Sequence, residues 1–210
     1  NNHDLVIKTA RGMSGRIGVL FGSTAMHLLR KCPCPVWLIK PGQGQYYDRI
    51  MAAVDMEPSI SEDNNLNNKI MRLATSLAQT ENSELHIVHV WKKPDISYLT
   101  DELNYLPPDN ISKLYNEAKN MHIKWLNEFL EQFKDKQYQG HLEEGTAGRV
   151  IPEFAEQHQV DLIVMGTICR TGIPGFFIGN TAEKILHRID CSVLAVKPDG
   201  FISPIQLDDK

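Results

Sequence analysis

The period of the apolar residues changes repeatedly along this chain. Short runs in which nearly every residue is apolar alternate with longer stretches where apolar residues recur every third or fourth position. The first pattern predicts strands and the second amphipathic helices. Ile50 to Asp55, Leu85 to Trp91, Tyr138 to Glu144, Leu162 to Met165 and Val193 to Val196 read as five strands. Between them, Leu66, Ile70, Leu73, Ala74 and Leu77 mark one helix. Ile111, Leu114, Ala118, Trp125, Phe129 and Phe133 mark a long second one. Val150, Ile151, Phe154, Ala155 and His158 share one face of a third, and Ala182, Ile185, Leu186 and Ile189 one face of a fourth. Pro152 falls inside the third, so that helix must start near Gly148 or kink. Asn180 followed by Glu183 predicts a capping box at the start of the fourth.

Leu162 to Met165 is apolar throughout, as a strand covered on both faces must be. Five strands separated by helices predict a five-stranded, mostly parallel, doubly wound α/β sheet with helices on both faces. Ligands of such sheets sit at the carboxyl ends of the strands, where the strand order reverses. If the strands ending at Asp55 and Gly166 are neighbours, the site lies between those two residues.

Part of this pattern occurs twice. Asp4 to Pro41 aligns without a gap onto Asp161 to Pro198 at an offset of 157, with 12 of 38 pairs identical. Chance would give about two or three. Gly15/Gly172, Gly18/Gly175, Gly22/Gly179, Cys34/Cys191 and Lys40/Lys197 are among the matches. Each copy reads strand, glycine-bearing loop, helix, strand. The expected organisation is therefore the C-terminal part of a first domain at 1–41, a linker at 42–46, a whole second domain at 47–198 and a tail at 199–210.

Composition excludes more than it assigns. The chain has 210 residues, 42% hydrophobic and 23% charged, with a net charge of −4. A basic footprint for nucleic acid is missing, and no apolar run reaches the ~18 residues of a membrane span. Of the four cysteines only Cys32 and Cys34 are close, in Cys32-Pro33-Cys34. That is not a CxxC, and no second pair has finger-like spacing. The match of Cys34 with Cys191 at the start of an apolar strand favours packing. Reduced thiols fit a cytoplasmic protein.

The segment after Leu162 to Met165 carries the candidate chemistry. It runs from Gly166 through Cys169, Arg170, Gly172 and Gly175 to Gly179, Asn180 and Thr181. Glycines let backbone N–H groups approach phosphate oxygens, a helix start adds its dipole, and Arg170 adds a charge. Other constellations are weaker. His86 and His89, three apart on a strand, point to opposite faces, and so do the adjacent Glu143 and Glu144. His122 and His158 sit on inward helix faces and read as core. No serine elbow, P-loop or zinc-protease motif is present, so no catalytic residue and no metal ligand is assigned.

With these residues on view, the second copy resembles a universal stress protein domain. The resemblance is carried by Ala53-Val54-Asp55, His89-Val90, Glu144-Gly145, the run from Asp161 to Thr167 and the helix start Gly179-Asn180-Thr181-Ala182-Glu183. The tandem arrangement resembles the two-domain members. The resemblance implies a Rossmann-like, adenine-nucleotide alpha-hydrolase-like fold. It also implies a cytoplasmic regulatory role in stress response rather than a dedicated enzyme, and self-association of domains through fifth-strand edges. Here Cys34 to Lys40 would supply the partner edge for Ser192 to Lys197.

In nucleotide-binding relatives the loop reads Gly-x-x-Gly, nine residues, then Gly-Ser/Thr. This chain has Gly166, Cys169, Gly179 and Asn180, and its first copy Thr9, Gly12, Gly22 and Ser23. Neither copy is intact. A side chain forced to positive φ costs about 1–2 kcal/mol, enough to weaken a ligand about tenfold. The implied nucleotide contacts are Asp55 and Leu85 at the adenine end. At the phosphate end they are Gly166, Cys169, Arg170, Gly179, Asn180 and Thr181. ATP with magnesium is the implied ligand, although no cofactor is required. The alternatives are an apolar or nucleotide-sugar-like metabolite, with an apolar cleft expected under the long helix and the Pro94 to Pro108 loop, and weak ATP hydrolysis.

Overall fold

The structure is a computed structural model that describes residues 3–10, 21–42, 46–56, 63–96, 107–167, 178–201 and 203. Its strands are β1 (Val6–Thr9), β2 (Val36–Ile39), β3 (Arg49–Val54), β4 (Glu84–Trp91), β5 (Gln139–Glu144), β6 (Leu162–Gly166) and β7 (Ser192–Val196). Its α-helices are α1 (Ser23–Lys31), α2 (Asp63–Glu81), α3 (Pro108–Leu130), α4 (Ala147–Gln157) and α5 (Asn180–Leu186). One sheet has the order β1-β2-β7-β6-β3-β4-β5. The α/β class and the doubly wound, mostly parallel sheet agree with the apolar pattern. The sheet has seven strands rather than five, because β1 and β2 of the first copy continue it.

The seventh-strand seam explains that difference. β2 pairs with β7 antiparallel, in the register Val36↔Ala195, Trp37↔Leu194 and Leu38↔Val193. Under the offset of 157, Trp37 is the repeat equivalent of Leu194, Val36 of Val193 and Leu38 of Ala195. Equivalent residues therefore face each other about a local twofold, as in an isologous interface. Every other pairing in the sheet is parallel. Side chains add to the seam. The Lys40 N–H donates to Ser192 Oγ at 3.0 Å, and Lys40 Nζ lies 2.9 Å from Asp190. Arg30 on α1 pairs with Glu183 on α5, a half-exposed bridge that contributes less than about 1 kcal/mol.

The two sheet faces bury separate cores. Helices α1, α4 and α5 cover one, over Met51, Val88, Ile163, Val193 and Leu38. Helices α2 and α3 cover the other, over Ile50, Ala52, Ile87, Val164 and Leu194. All five residues of β7 are buried, which is why its sequence is apolar without alternation.

Local departures from the sequence expectations have local causes. Helix α3 stops at Leu130, and a 3₁₀ turn carries the chain through Phe133. Pro108 starts it at a position where a missing N–H costs nothing. Pro152 lies well inside α4. Its missing N–H would have bonded the Gly148 carbonyl; Arg188 Nη1 donates to that oxygen instead, at 3.3 Å. Gly148 is also where α5 comes close, since a Cβ there would lie 3.2 Å from Lys184 Cβ. The expected capping box does not form: Gly179 is the N-cap of α5, Asn180 is the first helical residue, and Glu183 turns to Arg30.

Leu38 is fully buried beside the seam. Leu38→Ala should lower stability to denaturant by about 2–5 kcal/mol in a single cooperative transition. A loss under about 1 kcal/mol would mean that the first-copy strands are not part of the cooperative unit.

Candidate functional site

Strand β3 runs between β4 and β6, with parallel registers Val54↔His89 and Ala53↔Met165. The chain leaves β3 toward β4 and returns on the other side as β6. The strand order therefore reverses between β3 and β6, and the crevice outside their carboxyl ends lies between Asp55 and Gly166.

Three elements build its walls. After β3, the main chain of Asp55 is clamped by Asn67 from the first turns of α2. The Asp55 N–H donates to Asn67 Oδ1 at 3.1 Å, and Asn67 Nδ2 donates to the Asp55 carbonyl at 2.6 Å. Asn67 is buried, and the Asp55 side chain is exposed. After β6, Gly166 sits under Leu66, whose Cδ2 would lie 2.9 Å from a Cβ. Packing of α2 by itself thus favours a small residue here, since any Cβ would make the Leu66 side chain shift. Thr167 is fully buried, and its Oγ1 has no hydrogen-bond partner among the described residues. The third wall is the start of α5. The Gly179 N–H donates to the Thr167 carbonyl at 2.8 Å, which holds the helix start against the end of β6. Asn180 and Thr181 are exposed on its first turn.

Asp55, Gly166, Gly179, Asn180 and Thr181 therefore gather at one end of the sheet. Leu85 does not join them. It opens β4 opposite Ile50, at the amino end, and is buried in the α2/α3 core. Parallel strands put the residue after the apolar run, not the one before it, at the crevice; that residue of β4 is His89. Cys169 and Arg170 lie outside the described residues.

His89, which the sequence places only on one face of its strand, reaches the crevice floor. Its Nδ1 is 3.5 Å from the Met56 N–H and 3.4 Å from the Val54 carbonyl, and its Nε2 is 2.9 Å from His122 Nδ1 on α3. Two neutral tautomers satisfy this pair and neither needs a charge. Burial, with His122 beside it, pushes His89 down to about 4. On the opposite face His86 Nδ1 meets His141 Nε2 at 3.1 Å, while His158 stacks on Phe154. Burial lowers both His86 and His141. The opposite-face reading of His86 and His89 thus holds. Among the described residues no group of three His, Cys, Asp or Glu side chains has the geometry to hold a metal. Glu144 is engaged by Lys93 Nζ at 2.8 Å. Among the described residues no helix is long and apolar enough to cross a membrane.

An α/β sheet that reverses at β3/β6, with a helix start beside the β6 end, is the architecture that the resemblance implied. The profile described as "Universal stress protein family" matches residues 1–40 and 46–197, and the chain belongs to that family. It is similar to universal stress protein E of Escherichia coli, strain K12, at 34% identity over 99% of this chain and 65% of that protein. A universal stress protein E homolog of Haemophilus influenzae is 30% identical over 94% of this chain and 63% of its own length. The chain thus spans somewhat under two thirds of these relatives. A universal stress protein structure from Pseudomonas aeruginosa superposes with a TM-score of 0.72 at 30% identity, over 94% of this chain and 64% of that one.

The histidines give a pH dependence of defined sign. A histidine lowered by folding keeps its full contribution above its unfolded value of about 6.5, and loses it as the pH falls toward the folded value. Stability should fall between pH 6.5 and about 4, with His89 alone contributing roughly 3 kcal/mol of the loss. His89→Gln should flatten that window in denaturant melts; an unchanged slope would remove His89 as its cause.

Proposed function

We propose that this chain is part of a cytoplasmic regulatory stress-response protein that binds a small ligand in the β3/β6 crevice and is not a dedicated enzyme. The ligand class best supported is a nucleotide, ATP with magnesium, held by a degenerate loop. Asp55 would face the sugar or base end. Gly166, Cys169, Arg170, Gly179, Asn180 and Thr181 would face the phosphates. The observation that carries this reading is the crevice itself: a strand-order reversal, a clamped Asp55 main chain, and a buried Thr167 hydroxyl with no hydrogen-bond partner among the described residues. Residues 1–41 are read as the C-terminal part of one domain and 47–198 as a second, with the twofold β2·β7 seam as the self-association edge, used here within one chain.

The test is a thermal-shift titration with ATP and magnesium on this chain and on Cys169→Gly. Saturable stabilisation growing as RT ln(1 + [L]/Kd) is expected, with the variant binding about tenfold more tightly. A flat response in both would overturn the nucleotide assignment and favour an apolar or nucleotide-sugar-like metabolite.

A further inference from the structure

The repeat contains its own control for the cysteines. Cys34 and Cys191 are equivalent positions in the two copies, each just before the last strand. Cys191 is buried, and burial pushes its thiol up. Its turn reads Ile189-Asp190-Cys191, whereas the first copy reads Cys32-Pro33-Cys34. Cys32 and Cys34 are both half-buried, and their sulfurs lie 3.3 Å apart. Cys34 and Pro33 line a cavity of about 590 Å³ shared with Asp4, Lys69, Arg72 and Asp199, through which solvent reaches Cys34.

The local twofold supplies the second observation. Lys40 crosses the seam and reaches Asp190 in the turn of the second copy. Its equivalent, Lys197, follows β7, and continuing the antiparallel register sets it opposite Cys34 in the turn of the first copy, where Pro33 stands in place of Asp190. Lys197 has therefore lost a carboxylate and gained two thiols. It is 2% exposed, and its Nζ has no hydrogen-bond partner among the described residues. The Phe201 ring lies 4.0 Å from that nitrogen. Burial pushes Lys197 down to about 8, while Cys32 and Cys34 favour its charged form. A buried ammonium needs a counter-charge, and here a thiolate is placed to supply it.

We propose that Cys32 and Cys34 form a dithiol that peroxides oxidise to an intramolecular disulfide, with the Lys197 ammonium as the charge that favours the reacting thiolate. Burial and the neighbouring Cys32 sulfur push the Cys34 thiol up, which suits Cys34 to the resolving step, and the attack on peroxide falls to Cys32. The Cys32 thiolate attacks hydrogen peroxide: an S–O bond forms, the O–O bond breaks, and the departing hydroxide takes a proton to become water. Cys32 is then a sulfenic acid. The Cys34 sulfur displaces its hydroxyl, forming the S–S bond, and the Cys34 proton leaves with that hydroxyl as a second water. Two thiols are oxidised and one peroxide is reduced to two waters. The sulfurs must close from 3.3 Å to bonding distance, about 2.05 Å, a shift the turn before β2 can absorb.

The experiment treats the whole chain with hydrogen peroxide and follows it by intact mass and peptide mapping. The expected product has lost two hydrogens, maps to the Cys32–Cys34 peptide, is restored by a dithiol reductant, and is abolished by Cys32→Ser or Cys34→Ser. Lys197→Gln should slow its formation about tenfold and move the pH midpoint of the rate upward, which a merely structural lysine would not do. Stepwise addition of oxygen at Cys32 and Cys34 without a disulfide, or a disulfide that maps to Cys169, would overturn the proposal. Equal rates and midpoints with and without Lys197 would overturn the role of the lysine.

Discussion

The pairing of β2 with β7 is the contact on which the rest of the arrangement depends. Without it, β2 would bond only β1 along one edge, and β1, α1 and β2 would have no core of their own, since four-residue strands and one nine-residue helix bury too little surface to fold alone. The pairing places Leu38, Val36, Ala25 and Leu29 in the same core as α4 and α5. It also sets equivalent residues of the two copies face to face, Trp37 against Leu194. Because the twofold is only local, each difference between the copies becomes a difference between the two ends of the seam.

That asymmetry shows in the lysines. One sequence position, occupied by Lys40 and Lys197, ends the last strand of each copy. Lys40 meets a carboxylate at a partly exposed end, a contact of modest value. Lys197 is buried beside two sulfurs and an aromatic ring, where an unpaired charge is costly. The same residue thus serves as a surface tether on one side of the seam and as a buried, poised cation on the other.

The crevice shows a similar economy. Gly166 lies against the Leu66 side chain, so packing of α2 favours a small residue here whether or not a phosphate binds. The helix α5 start is held by a backbone bond from Gly179 to Thr167 rather than by a side-chain cap. What remains free of packing explanation is the polar lining: the Asn67 clamp, which freezes the Asp55 main chain, and the Thr167 hydroxyl. Beneath them lies His89, bonded to His122, and burial keeps His89 uncharged well below neutral pH.

The linear pattern by itself determined the strands and helices, the α/β class and the repeat, because burial on one or both faces imposes a period that one chain displays. It also placed Asp55 and Gly166 at the carboxyl ends of two strands, while the β3·β6 pairing that makes those strands neighbours was decided by the tertiary structure. Other features depended on neighbours far apart in the sequence. Leu85, which the family resemblance implied at the site, lies at the amino end of its strand, away from the crevice. The sheet reaches seven strands because two apolar edges pair across more than 150 residues, a contact that the family resemblance implied and no spacing along the chain encodes. Cys32 and Cys34 read as packing until the tertiary structure set a buried Lys197 beside them. Charge, burial and distance are properties of that arrangement, and no spacing along the chain encodes them.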